Sequence, residues 1–255
     1  MIVALDFDGV IFDGTHECLL VAWNVFKKNT LSNFNIKKFD EIPELFIDLF
    51  KESRSFVRHD GHFLVPFYIK ENTIINSEIF HKTYNSIPQE IIFEFRADFN
   101  KYRSKVRDIY SHYWLELHKK LLNLEEIIDL GIDVRIISGK DSDSIFFILQ
   151  ENGVKLIKEK IHGETSSKIP LLKLLKLLKL LKLLKSEAND GNSKLLFIDD
   201  NIENIIESRK LGINSLWATW GFHTPEQINN AKHFLINEVK IDNIMSTIIN
   251  LKMNK

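Results

Sequence analysis

The sequence predicts an α/β fold with a doubly wound parallel sheet, interrupted after its first strand by an inserted, mainly helical domain. Three observations carry this prediction. Short apolar runs at 2–5 and 195–198 and a β-branched one at 134–137 are followed at once by Asp or Ser, as expected of strands in a buried parallel sheet. Segments of helical periodicity, closed by Gly131, Gly153 and Gly212, alternate with them, which implies parallel strands joined by right-handed crossovers. From about Thr15 to Tyr113 this rhythm stops and phenylalanines become frequent. The expected organisation is therefore 1–14 as the first strand and its loop, 15–113 as the insert, and 114–255 as the rest of the core.

The first strand ends in Asp6-Phe7-Asp8-Gly9, with more turn chemistry at Asp13-Gly14. Within the insert, 16–28, 43–56 and 88–110 read as helices. Residues 59–68 contain Asp60-Gly61 and Pro66 and read as a loop or turn. Residues 114–130 read as one amphipathic helix with Leu117, Leu121, Leu124 and Ile128 on a common face. There follow a strand at 134–137, a helix at 141–152, a short strand at 161–163 and a Lys/Leu-rich helix. Then come the strand at 195–198, a helix at 202–211 and a last strand at 215–218.

Composition narrows the class. A hydrophobic fraction of 44% and a charged fraction of 27% are those of an ordinary globular protein. With 34 Lys+Arg against 35 Asp+Glu, charge alone does not indicate a nucleic-acid partner. Cys18 is the single cysteine, so no intramolecular disulfide can form, which fits a reducing compartment. The first residues lack the basic and long apolar regions of a signal peptide, and no apolar run is long enough to span a bilayer. The expectation is a cytoplasmic protein with neither a membrane nor a nucleic acid as partner.

Residues 171–185 are a strict LLK repeat. Each lysine steps back about 60° around a helix, so the tract sweeps roughly 240° and leaves no clean polar face. It reads as a surface helix whose lysine stems lie over apolar neighbours. The alternative, a membrane or partner helix, calls for apolar and charged residues sorted onto opposite faces. Its leucines leave homo-oligomer formation open.

Four features fall at predicted strand ends, where open α/β sheets bind ligands. Asp6 and Asp8 are one residue apart with Gly9 behind them, so one carboxylate can attack while the other moves a proton; a solvated turn is the plain alternative. Ser138-Gly139 offers a hydroxyl and backbone N–H groups for a phosphate oxygen, or simply a helix cap. Lys168 could neutralise a nucleophile and a phosphate, with Lys160 and Lys173 as rivals. Asp199-Asp200 closes an apolar strand, a costly place for paired carboxylates unless a cation such as Mg²⁺ binds; capping of the next helix is the alternative.

The string DFDGVIFDG, followed in order by Ser138, Lys168 and LLFIDDNIEN, resembles the haloacid dehalogenase superfamily, in particular members with a helical cap after the first motif. The stretch ATWGFHTPEQI is similar to phosphoglycolate phosphatase-like members. The resemblance implies that Asp6 is a nucleophile forming an aspartyl-phosphate and Asp8 the general acid/base, its backbone carbonyl also facing the metal. It implies that Ser138 binds the phosphoryl group, Lys168 stabilises charge, and Asp200 with Asp199 holds Mg²⁺. One departure stands out: relatives often carry Asp four positions after the metal-binding one, where this chain has Asn204; Asp199 or Glu203 could compensate. An Asp at position 8 points away from carbon–halogen cleavage, which in this superfamily does not use one there.

A helical insert over strand ends can exclude water and contact a leaving group. Arg54, Arg58 and His59 could meet an acidic substrate there, or form surface ion pairs; Phe63, Phe67 and Tyr68 read as core of the insert. The expected function is a Mg²⁺-dependent phosphatase acting on a small phosphorylated metabolite. The alternatives are a phosphomutase with the same chemistry and a catalytically silent binding module.

Overall fold

In the computed structural model the described residues are 1–28, 41–70, 73–165, 167–185 and 194–253. The chain divides into two compact units: Met1–Asp13 with Lys120–Lys255, and Gly14–Lys119. In chain order the strands are β1 (Ile2–Leu5), β2 (Phe12–Asp13), β3 (Lys119–Lys120), β4 (Asp133–Ile137), β5 (Ile161–His162), β6 (Leu195–Asp199), β7 (Asn214–Ala218) and β8 (Glu238–Val239). The helices are α1 (Thr15–Phe26), α2 (Glu44–Ser53), α3 (Ser77–Ser86), α4 (Gln89–Ile109), α5 (Ser111–Glu116), α6 (Leu124–Asp129), α7 (Ser142–Glu151), α8 (Ile169–Lys185), α9 (Ile202–Lys210), α10 (Pro225–His233) and α11 (Ile244–Met253).

The first unit is built on a six-stranded sheet ordered β5-β4-β1-β6-β7-β8, parallel throughout. Every residue of β6 is buried, as a strand covered on both faces requires. Leu5 pairs with Ile136 of β4 on one side and Ile198 of β6 on the other. Chain order reverses around this central strand, so the carboxyl ends of β1, β4 and β6 lie side by side at the crevice where such sheets bind ligands. The strand at 215–218 is not the last of the sheet: β8 follows it at the edge. The single helix expected over 114–130 is also corrected. It is split into α5 and α6, with Leu121 and Leu122 both donating backbone N–H groups to Ile11 O in between. Those bonds extend the chain where the leucine spacing alone favoured a continuous helix.

The LLK tract forms most of α8. Leu172 and Leu175 enter the core with Leu195, Phe197, Ile205 and Trp217, while Leu174, Leu177, Leu178 and Leu180 stay about half-exposed. Lys176 donates to Leu211 O at 2.5 Å, satisfying a carbonyl at the end of α9. The side chains of 179 and 181–185 lie outside the described residues. Among the described residues no helix is long and apolar enough to cross a membrane.

The second unit is helical. Asn76 caps α3 by accepting from Ile79 N, and Pro43 and Pro88 precede α2 and α4, positions that need no intrahelical donor. Glu17 and Arg103, both buried, form a two-point ion pair at 2.8 and 3.2 Å. Residues Asp60–Tyr68 are a 3₁₀ helix where the sequence suggested a loop. Asp60 fixes its start by accepting from Gly61 N, Arg96 and Asn100, which lets the apolar residues that follow turn inward. Phe63 stacks between Phe50 and Phe99, and Phe67 packs on Phe26 and Phe46.

His62 is the titrating weak point of this unit. Burial pushes its pKa down to about 2, helped by His59, His81 and Arg58 and opposed by a bond to the Phe56 backbone. Tyr84 also packs against its ring, and Asp60 lies beside His59. Because the folded value is depressed, the neutral ring contributes stability that is complete above the unfolded value near 6.5 and lost as pH falls below it. Between pH 7 and pH 5 the expected loss is about 2 kcal/mol, with His59 and His81 shifted in the same direction. Thermal melts at the two pH values check this. A His62→Phe protein showing the same pH slope as the parent would remove His62 as the cause.

Candidate active site

Asp6 follows β1 directly, its N–H bonded to Ile198 O at 3.0 Å. The tight turn behind it, with Gly9 N to Phe12 O at 2.7 Å and Ile11 N to Phe7 O at 2.9 Å, requires Gly9 at φ +86°, a conformation that favours glycine. Asp6 Oδ1 accepts from Phe7 N at 2.6 Å, and Oδ2 lies 2.5 Å from Lys168 Nζ. Lys168 is buried just ahead of α8, where its carbonyl accepts from Leu172 N. The same ammonium bonds Asp199 Oδ2 at 2.8 Å. One lysine therefore bridges the end of β1 and the end of β6.

Asp199 is fully engaged by the chain. Its Oδ1 accepts from Asn201 N at 2.7 Å, and its Oδ2 accepts from Lys168 and from Asn204 Nδ2 at 2.9 Å. Asn201 in turn caps α9 by accepting from Glu203 N and Asn204 N. This accounts for Asn204: an amide there donates to Asp199, whereas a carboxylate would place like charge against it. Asp200 is held by other donors, its Oδ2 accepting from Phe222 N at 2.8 Å and its carbonyl from Trp217 Nε1 at 2.7 Å.

One carboxylate oxygen from each of Asp6, Asp199 and Asp200 lies within 4.8 Å of the others. Burial raises the Asp6 pKa to about 6; Lys168 opposes the rise and Asp199 adds to it. Burial alone would lower Lys168, but Asp199 and Asp6 outweigh it and hold the ammonium above its ordinary value. The three carboxylates are hard oxygen donors gathered beside the Lys168 ammonium, and that donor set fits Mg²⁺.

The carboxylate of Asp8 is not in this cluster. Its buried Oδ1 has no hydrogen-bond partner among the described residues. Ser138 is buried at the end of β4; its N–H donates to His162 O, its carbonyl accepts from Thr165 N, and its Oγ accepts from Lys140 N at 3.3 Å. The chain thus places Asp6, Ser138, Lys168, Asp199 and Asp200 at three neighbouring strand ends and the loop before α8. Lys160 is drawn away to Asp133 at 2.8 Å, and Lys173 is exposed, so neither rival to Lys168 enters the site. Arg54 is buried over the Phe63 ring, and the His59 ring packs against His62 at a tilt of 40°, within the helical unit.

Sequence reading missed the supports. Gly221, Phe222, Trp217 and Trp220 surround Asp200 or the Gly9 turn, and Asn201 orders Asp199. The glycine and tryptophan of TWGF were visible only as part of a likeness, because nothing local in that string says which distant carboxylate it touches.

This sheet, with its insert after the first strand, has the fold of haloacid dehalogenase-like hydrolase structures. The chain is similar to a predicted phosphatase from Clostridium acetobutylicum, at 15% identity over 98% of each chain and a TM-score of 0.58. It is similar to a predicted phosphoglycolate phosphatase from Haemophilus somnus at 13% identity, 97% of each chain and a TM-score of 0.58. A third likeness is to a haloacid dehalogenase-like family hydrolase from Streptococcus pneumoniae, at 13% identity over 98% of this chain and 96% of that one, TM-score 0.52. At these identities the likeness establishes the fold. No family model and no curated protein matches the chain.

Proposed function

We propose that the chain is a Mg²⁺-dependent phosphatase that hydrolyses a small phosphomonoester through an aspartyl-phosphate on Asp6. The observation that carries the reading is the Lys168 ammonium, shared between Asp6 and Asp199 inside a buried three-carboxylate cluster. Asp6 attacks phosphorus, and the ester oxygen departs with a proton from Asp8. Water then attacks the same phosphorus, giving its proton back to Asp8 and releasing phosphate and the Asp6 carboxylate. The unpartnered buried Oδ1 of Asp8 is suited to holding that proton. Ser138 and neighbouring backbone N–H groups bind phosphoryl oxygens, and Lys168 neutralises charge as it is passed to them.

Asp6 and Asp200 are the carboxylates that would hold Mg²⁺ directly, because Asp199 is the more heavily engaged, with three chain donors on its two oxygens against two donors on Asp6. When bound, the metal supplies charge neutralisation for the phosphate. The likeness to phosphatase structures supports the fold on which this reading rests.

The test is phosphate release from a panel of small phosphomonoesters, phosphoglycolate and sugar phosphates included, with Mg²⁺ or with EDTA. Metal-dependent release is expected. Isomerised sugar phosphate without release would replace the hydrolase with a phosphomutase, and release undiminished by EDTA would remove the metal from the reading.

A further inference from the structure

Asp200 sits in a slot with two glycine walls. A Cβ on Gly9 would fall inside van der Waals contact with Asp200 Oδ2, and one on Gly221 would do the same with Asp200 Cβ. The Gly221 Cβ would also stand 2.6 Å from both Asp200 Oδ2 and Gly9 O, so the two glycines approach each other across the carboxylate. Gly9 belongs to the turn after β1 and Gly221 to the turn after β7. The carboxylate just after β6, the strand between them, is thus gripped from both sides.

Three hydrogen bonds hold the grip closed. Phe222 N donates to Asp200 Oδ2 at 2.8 Å, Trp217 Nε1 to Asp200 O at 2.7 Å, and Trp220 Nε1 to Val10 O at 3.0 Å. The first sets the rotamer of the carboxylate, the second fixes its backbone, and the third ties the β7 turn to the loop that carries Asp6 and Asp8. A carboxylate fixed before a cation arrives loses little freedom when it binds, and this ordering raises affinity without adding a ligand.

We propose that the turn at 220–222 is a positioning element for the cation: Gly221 and the Trp220 indole, which touch neither metal nor substrate, set divalent-metal affinity by holding Asp200 against the Asp6 loop. The inference rests on the metal-dependent reading above and adds residues to it that the four strand-end motifs do not contain. It also gives the glycine and the tryptophan of the TWGF string a physical task.

The experiment measures Mn²⁺ binding directly, by electron paramagnetic resonance of the free ion, with no substrate present. Gly221→Ala is expected to weaken binding tenfold or more, because Asp200 must move to admit the methyl group. Trp220→Phe keeps an aromatic ring and removes one neutral hydrogen bond; the expected loss is about threefold to tenfold. Melting temperature in EDTA serves as the fold readout, and the Trp220→Phe protein is expected to melt close to the parent and to keep its substrate KM at saturating metal. If Gly221→Ala does not fold, Trp220→Phe alone decides. Parental Mn²⁺ affinity in a folded variant overturns the positioning role while leaving the phosphatase reading intact. A parent chain that binds no Mn²⁺ overturns that reading itself, and this inference with it.

Discussion

Asp6→Asn is expected to reduce phosphate release by roughly 10⁴-fold or more, the scale seen when a covalent nucleophile is removed. The amide has nearly the volume of the carboxylate but cannot attack phosphorus. The same substitution is expected to leave the metal-free protein as stable as the parent, or slightly more so. Asp6 is buried beside Asp199, and these two effects raise its pKa to about 6 against the pull of Lys168. Replacing it removes one of the two buried carboxylate charges that share Lys168, and Lys168 keeps its 2.8 Å partner in Asp199. Loss of turnover together with an unchanged melting temperature would mark Asp6 as a chemical residue. Turnover within tenfold of the parent, in protein free of contaminating phosphatase, would exclude it as the attacking group.

Lys168→Met carries the second large effect, and on both properties. Methionine fills the space of the lysine stem but removes the ammonium that Asp6 and Asp199 share. Removing one partner from a buried ion pair typically costs about 3–5 kcal/mol, and that loss is expected in thermal melts at pH 7. Asp6 would then climb further above its ordinary value. A carboxyl raised in the folded state binds its proton more readily than in the unfolded chain, so the deficit should shrink as pH falls toward 5. Added Mg²⁺ should also raise the melting temperature more in the variant than in the parent, since the cation replaces the lost charge. Turnover should fall by about 10²- to 10³-fold, as when one charge-stabilising donor is deleted. A variant that melts and titrates with pH like the parent would show that Lys168 does not bridge the two aspartates.

Both arguments turn on one cluster, and the two ends of it were unequally legible in the sequence. Asp6 and Asp199-Asp200 stood out because each follows a short, wholly apolar run, where a charge is costly unless it is used. Lys168 could be proposed but not chosen by sequence alone, since Lys160 and Lys173 lie nearby in a lysine-rich stretch. The choice was made by packing: Lys160 pairs with Asp133, Lys173 faces out, and Lys168 alone of the three reaches the strand ends. Asn204 looked like a missing ligand, and is instead the donor that holds Asp199 in place. The spacing of leucines at 117, 121, 124 and 128 suggested one helix because periodicity counts only residues along the chain. The bonds from Leu121 and Leu122 to Ile11, far earlier in the chain, are invisible to it.

What the sequence determined by itself was local and periodic: the buried strands at 2–5, 134–137 and 195–198, the helices between them, and the acidic and serine turns at their ends. These follow from burial patterns and turn chemistry that depend on neighbouring residues alone. What only the tertiary structure decided was which of those ends meet. The strand order β5-β4-β1-β6-β7-β8 places Asp6, Ser138 and Asp199 on adjacent strands, and the β7 turn beside Asp200. A sheet joins residues far apart in the chain through backbone bonds that any sequence can make. The identity of a carboxylate's neighbours, and hence its charge state and its task, is therefore settled only when the strands pair.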